Sequence, residues 1–180
     1  MLFTHEEVVH LFGTIACIVY VLDRIRIAYP EVVARRAPWV NRLLVRAEEE
    51  VREAAMTPYA IAVLLTILTV PKFAALIAIY TLAIADPLAA IVGIRFGRHP
   101  LVRYRTLEGS AAFFGATLVV AAVVLTQSMS GPGVAIASAA VSIALASTLF
   151  ELIPLRIDDN LTIPLAVGFG SWILARACGL

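Results

Sequence analysis

Apolar residues fall along this chain in six long runs, separated by short polar or charged stretches. The runs cover about Val8 to Ile27, Thr57 to Val70, Lys72 to about Ile94, Gly109 to Gln127, Gly133 to Ile153 and Leu161 to Ala177. A helix needs about 17–25 such residues to cross a bilayer, fewer where the bilayer thins. Each run therefore reads as a spanning helix, the second a short one. Pro71 and Lys72 mark a tight turn, and Ser128–Gly133 (SMSGPG) reads as a loop from its glycines and proline. Nothing in the periodicity argues for a strand. The predicted fold class is all-α: a polytopic membrane helix bundle of about six transmembrane helices plus one amphipathic interfacial helix, forming a single integral membrane domain over residues 1–180.

The interfacial element is expected within residues 30–53. Val33, Val40, Leu44, Ala47 and Val51 recur on one helical stripe, and Arg35, Arg36, Arg42, Arg46 and Arg52 surround it. A helix lying at the bilayer surface fits this pattern, and so does a loop helix packed on the end of the bundle. Glu48, Glu49 and Glu50 read as a solvated face.

Composition strengthens the membrane reading. The 180 residues are 61% hydrophobic and 15% charged, with a mean hydropathy of +0.93, where a soluble domain carries about 25% charged residues. A net charge of +1, with no basic face interleaved with aromatics, excludes nucleic acid as a partner. Cys17 and Cys178 lie in apolar segments with no CxxC or Cys/His cluster, which argues against zinc and suggests buried free thiols. The N-terminus lacks the basic region of a cleavable signal, so the first run is expected to stay as a permanent helix. No internal repeat is evident, and the oligomeric state leaves no mark on the sequence.

The arginines set an orientation. With Asp23–Met56, Arg95–Glu108 and Leu155–Asn160 inside, twelve of the fourteen basic residues are internal, leaving Lys72 and Arg176 outside. The positive-inside rule then puts both termini outside and residues 93–108 and 155–160 at the cytosolic face.

Three clusters on that face could carry chemistry. Asp86 lies in an apolar run, fourteen residues past Lys72, on the order of 20 Å into the bilayer. A carboxylate there is costly and points to a polar cavity. Pro87 frees a backbone carbonyl, which suggests a helix broken at the carboxylate. Asp86, Ala89, Gly93 and Gly97 share one helical face, where small residues admit either another backbone or a phosphate. Arg95, Arg98, Arg103 and Arg105, with His99, suit a polyphosphate or serve only to orient the loop. In the second cluster, Thr106, Glu108, Gly109 and Ser110 open the fourth run. They form either an anion seat at a helix N-terminus or an ordinary cap. In the third, Asp158, Asp159 and Asn160 offer hard oxygen ligands suited to Mg²⁺, and Asn160 could cap the sixth helix. No Walker-type phosphate loop, G-x-S-x-G elbow or HExxH is present.

Together these clusters resemble the polyprenol kinase family, which includes the CTP-dependent dolichol kinases, the phytol kinases and the fungal-type CTP-dependent diacylglycerol kinases. The resemblance rests on D-x-x-A-x-x-x-G-x-x-x-G from Asp86, a basic loop, R-T-x-E-G-S from Arg105 and D-D-N-L-T-x-P-L from Asp158. It covers about Tyr59 to Gly170. The family usually has lysine where Arg105 stands, and a basic pair before a histidine where His10 follows Glu6 to Val9. The resemblance implies transfer of the γ-phosphate of CTP to a polyprenol, phytol or diacylglycerol hydroxyl, with Mg²⁺. Asp86 and Asp158 would be catalytic, and Asp86, Asp158 and Asp159 would hold the metal. Gly93, Arg95, Gly97, Arg98, Arg105, Thr106, Glu108, Gly109, Ser110 and Asn160 would bind the nucleotide. The first two motifs are also similar to those of phosphatidate cytidylyltransferases, so formation of a CDP-lipid is an alternative. A small transporter with Asp86 as its ion site is another.

Overall fold

The computed structural model describes residues 4–37, 56–102, 105–153 and 159–180, the side chains of His5 and Asp159 excepted. Among these residues every regular element is helical, apart from an isolated antiparallel bridge between Pro100 and Thr106. The helices are α1 (His5–Ala28), α2 (Pro30–Arg36), α3 (Met56–Thr69), α4 (Lys72–Tyr80), α5 (Asp86–Phe96), α6 (Leu107–Ser128), α7 (Gly133–Glu151) and α8 (Asp159–Ala177), with a π-helical segment, Thr81–Ala85, joining α4 to α5.

Among the described residues four stretches are long and apolar enough to cross a membrane: Glu6–Ala28, Lys72–Phe96, Leu107–Ser128 and Gly133–Glu151. The other two of the six runs differ for physical reasons. Helix α3 has only 14 residues, and α8 is diluted by Asp159 and Asn160 at one end and Arg176 at the other. The chain divides into two compact units, Met1–Leu68 and Thr69–Leu180.

In the first unit α1 begins at a capping box. Thr4 Oγ1 accepts the Glu7 N–H at 3.3 Å and the Glu7 carboxylate accepts the Thr4 N–H at 2.7 Å, the reciprocal arrangement that satisfies two orphan donors of a helix start. Pro30 opens α2 at the first helical position, where its missing N–H costs nothing. Val33 is buried against Val19, Leu22 and Ala37, so α2 folds back on the end of α1. This described part packs on α1 through Val33. The rest of the expected stripe, from Val40 to Val51, lies outside the described residues. Leu11, Ile15, Ile18, Val21 and Ile25 are all exposed on α1, a row whose natural solvent is hydrocarbon. Cys17 and Cys178 are free thiols, but neither is buried as expected: Cys17 is exposed on α1 and Cys178 is half-buried.

One polar knot ties this unit together. Asp23 is fully buried, and its Oδ1 accepts from Arg26 Nε at 3.1 Å and Nη2 at 2.9 Å. Its Oδ2 accepts from the Thr57 hydroxyl at 3.1 Å, which links α1 to α3.

In the second unit α6 packs against α5 and α7, and α8 packs against α4 and α7. Val70, Ala74 and Ala75 form a core cluster covered by Phe73 and Trp172, which sets the start of α4 beside the end of α8. Hydroxyls along the apolar helices are quieted locally: Thr126 donates to the Ala122 carbonyl at 2.6 Å and Thr148 to that of Ala144 at 2.8 Å, the usual four-residue back-bond. Replacing Asp23 by Ala removes the carboxylate that neutralises buried Arg26. Breaking such a pair from one side costs about 3–5 kcal/mol. The purified D23A protein should therefore melt well below wild type in detergent.

Candidate functional site

The rod from Lys72 to Phe96 is built around its proline. The Asp86 N–H bonds to the Thr81 carbonyl, five residues back rather than four, and Pro87 has no N–H to give. The helix widens for one π turn and continues, so the break expected at Asp86 is a bulge in an unbroken rod. Such bulges are common at functional sites. Asp86 emerges half-buried at the start of α5.

Helix α5 then meets the start of α6 at close range. A Cβ on Gly93 would lie 3.2 Å from Thr106 Oγ1, and one on Gly97 would lie 2.6 Å from Thr106 Cγ2. One on Gly109 would lie 2.9 Å from the Ala89 carbonyl oxygen and 3.3 Å from Gly93 Cα. The small-residue face therefore admits another backbone. Of the two uses open to it, the structure assigns Gly97 to helix packing, while Gly93 and Gly109 both pack and line a cavity.

The basic loop between these helices closes on itself. Leu101 N–H bonds to the Arg105 carbonyl and Leu107 N–H to the His99 carbonyl, each at 2.9 Å. Thr106 caps α6, its hydroxyl accepting the Gly109 N–H at 3.2 Å. Glu108 turns back to the loop, where its carboxylate meets His99 Nδ1 at 2.7 Å and accepts the His99 N–H at 3.3 Å. The start of α6 thus uses its own first-turn donors as an ordinary cap, and Glu108 acts as a clasp outside the cavity.

That cavity has a volume of about 420 Å³, within the size range of small-molecule sites. Asp86, Ala89, Ala90, Gly93 and Ile94 form one wall, and Thr106, Gly109 and Ser110 form the other. Arg105 enters from the loop and Glu151 from the end of α7. Glu151 arrives there through hairpin geometry. Eighteen residues separate Ser110 from Ser128, and eighteen separate Gly133 from Glu151, so the two arms return to one level. Arg105 Nη1 forms an ion pair with Glu151 Oε1, the Glu151 side chain being 6% exposed. The second oxygen, Glu151 Oε2, and the Ser110 hydroxyl are buried with no hydrogen-bond partner among the described residues.

The structure therefore brings together Asp86, Gly93, Arg105, Thr106, Gly109 and Ser110. Arg95 and Arg98 are exposed and, with Gly97 and Glu108, do not line the cavity. Arg103 and Asp158 lie outside the described residues, as does the side chain of Asp159. Asn160 sits inside the first turn of α8 rather than at its cap, because the helix already begins at Asp159. Backbone register still sets the depth of that end. Ala74 to Asp86 is twelve residues and Trp172 back to Asp159 is thirteen, each about 18–20 Å of helix. With Trp172 on the Ala74 cluster, α8 starts level with Asp86. Among the described residues no three His, Cys, Asp or Glu side chains group as a metal nest. Sequence reasoning passed over Glu151 as a site residue; its one signal was a lone carboxylate ending an apolar run.

No family model, curated protein or solved structure matches this chain. The glycine contacts make a direct prediction. Gly109→Ala forces a methyl against backbone atoms that cannot give, an overpacking that costs about 1–3 kcal/mol. Gly115 has open space around its Cβ position, so Gly115→Ala should instead gain about 0.5–1 kcal/mol of helix propensity. Melting curves of the two variants in one detergent should move in opposite directions.

Proposed function

We propose that this chain is a lipid-alcohol kinase of the membrane, transferring the γ-phosphate of a nucleoside triphosphate to a lipid hydroxyl. The observation that carries the reading is the lining of one cavity by residues of two separated motifs: Asp86 and Gly93 with Arg105, Thr106, Gly109 and Ser110. The resemblance to polyprenol kinases supplies CTP as donor and a polyprenol, phytol or diacylglycerol as acceptor. The positive-inside count supplies a cytosolic site in a chain of six crossings, with α3 and α8 as the two weaker spans.

The walls suit both substrates. Ile94 lines the cavity and is 86% exposed, giving hydrocarbon an approach to a polar interior. Arg105 offers a planar, permanently charged fork to phosphate oxygens. The close backbone at Gly93 and Gly109 leaves no side chain between a phosphate and the helix walls. Asp86 accepts the hydroxyl proton as the lipid oxygen forms its bond to the γ-phosphorus. The bond from that phosphorus to the β–γ bridging oxygen breaks, and the nucleoside diphosphate leaves. Transfer of this kind depends chiefly on positioning and charge neutralisation.

Mg²⁺ takes one or two carboxylates and fills its remaining positions with water and phosphate oxygens, and the residues that the resemblance assigns to it are carboxylates. Asp86, with Asp158 and Asp159, would hold it, and it would neutralise charge on the transferring phosphates. Cytidylyl transfer is the second reading, because the motifs that line the cavity are the ones shared with cytidylyltransferases.

Purified protein in lipid, given labelled CTP or ATP and a panel of lipid alcohols, tests both readings. The kinase releases CDP and a phospholipid monoester; the cytidylyltransferase releases pyrophosphate. Asp86→Asn should lower phosphoryl transfer by roughly 10²–10⁴-fold, the usual contribution of a positioned proton acceptor. Transfer that persists unchanged in this variant removes Asp86 from the reaction. Nucleotide-independent ion flux in liposomes would favour a transporter instead.

A further inference from the structure

Arg105 enters the cavity from a loop, and a loop holds a side chain less tightly than a helix does. The loop joins α5 to α6, and its two arms pair as a short antiparallel hairpin. Leu101 N–H bonds to the Arg105 carbonyl, Pro100 bridges Thr106, and Leu107 N–H bonds to the His99 carbonyl. A turn between the arms is closed by the Arg105 N–H on the Val102 carbonyl at 3.1 Å. A two-stranded hairpin is marginal by itself in water, and Pro100 has no N–H to add to the ladder. Backbone pairing alone is a weak hold on the direction of Arg105.

At the base of the hairpin one carboxylate grips the opposite arm twice. Glu108, the second residue of α6, accepts the His99 N–H on Oε2 at 3.3 Å and meets His99 Nδ1 with Oε1 at 2.7 Å. An ionised carboxylate only accepts, so Nδ1 carries the proton of that bond. The ring contact is short, as a charge-assisted bond is, and the backbone contact is long. Neither His99 nor Glu108 lines the cavity, and the His99 side chain is 73% exposed. An exposed pair of this kind adds little to global stability, so its effect is a local one.

We propose that His99 is a positioning residue: through Glu108 it fixes the outgoing arm of the hairpin, and with it the direction from which Arg105 enters the cavity. The proposal rests on the kinase reading for the use of that arginine. It gives Glu108 a part other than the nucleotide contact that the resemblance implies. The path is short: Glu108 follows Leu107, which bonds to His99, and Arg105 stands two residues before Leu107 on the same arm. Without the ring contact the carboxylate keeps only the long bond to the His99 N–H. The arms then part more often, and Arg105 spends less time aimed at the cavity.

Two substitutions separate the ring contact from the rest of the loop. His99→Ala removes it, and His99→Asn keeps a donor where Nδ1 stood. Amide hydrogen exchange on the full chain in lipid nanodiscs reads local opening of the hairpin. The Leu101 and Leu107 amides should exchange faster in His99→Ala and return towards the wild-type rate in His99→Asn, with the middle of α6 unchanged in both. Equilibrium binding of CTP reads the arginine. His99→Ala should weaken it roughly three- to tenfold, the scale of one lost hydrogen bond, and His99→Asn should restore most of the loss. In an Arg105→Gln background His99→Ala should cost nothing further, because His99 acts through that side chain. Exchange unchanged in His99→Ala overturns the proposal, and so does a loss of CTP affinity that adds in full to that of Arg105→Gln. The expected exchange pattern in a protein that binds no CTP keeps the hold of His99 on the hairpin and removes the kinase reading.

Discussion

A charge buried among apolar helices needs an opposite charge beside it, and the position of the Arg105–Glu151 pair follows from that requirement. Glu151 is the last residue of α7 and Arg105 sits just before α6. Glu151 could not stand alone at its depth, because the effective penalty for an unpaired buried ion is several kcal/mol, whereas Arg105 reaches it from a partly exposed position. The pair therefore fixes the end of one helix to the entry of another. The glycine contact between α5 and α6 fixes the third wall, and at Gly97 and Gly109 a Cβ would come within 3.0 Å of its neighbours. These two constraints, one electrostatic and one steric, shape the cavity that Asp86 lines. They also explain why polar groups gather at helix ends: donors and acceptors are available there without breaking the hydrogen bonds of a helix interior.

The first unit solves the same problem in another way. Asp23 and Arg26 are three residues apart on one helix, and Thr57 adds a second helix to the knot. That cluster is closed, with each carboxylate oxygen of Asp23 engaged. At Glu151 one oxygen is engaged by Arg105, and the other has no hydrogen-bond partner among the described residues. The contrast separates a structural buried charge from one with capacity left over.

Much of this was legible in the sequence, and the reasons differ by element. The long helices show in their apolar runs, because burial in lipid needs no amphipathic pattern and leaves a continuous signal. The turns at Pro71 and at Ser128–Gly133 were readable from residues with fixed backbone preferences. Asp86 was readable because a carboxylate in hydrocarbon is expensive enough to need a purpose. Less visible were features set by pairing between distant segments. The partner of Arg105 depends on equal arm lengths in the α6–α7 hairpin, which a motif does not encode. The use of Glu108 stayed open between cap and anion seat because a first-turn carboxylate serves a cap, a clasp and an anion site with the same letters. The bulge at Thr81–Ala85 was read as a break because a missing N–H tells that the ladder changes, not how the helix recovers.

The placement of the site constrains the chemistry more than any single residue does. A reaction between a water-soluble triphosphate and a lipid needs one cavity that water reaches from the helix ends and hydrocarbon reaches from the side. A site deep in the bundle would starve of nucleotide, and one in the loop would never meet a lipid hydroxyl. Asp86 stands at the start of α5, just past the π turn and about two helical turns before the glycines give way to arginines, with exposed Ile94 on the same wall. Arg95 and Arg98, outside the cavity and exposed, cannot grip a phosphate held beside Asp86 from where they stand. On the kinase reading their contribution would be the longer-ranged one of raising the local concentration of anions. Among the described residues Arg105 is the arginine that lines the cavity, so on the kinase reading the contact work at the reacting phosphate would fall to it.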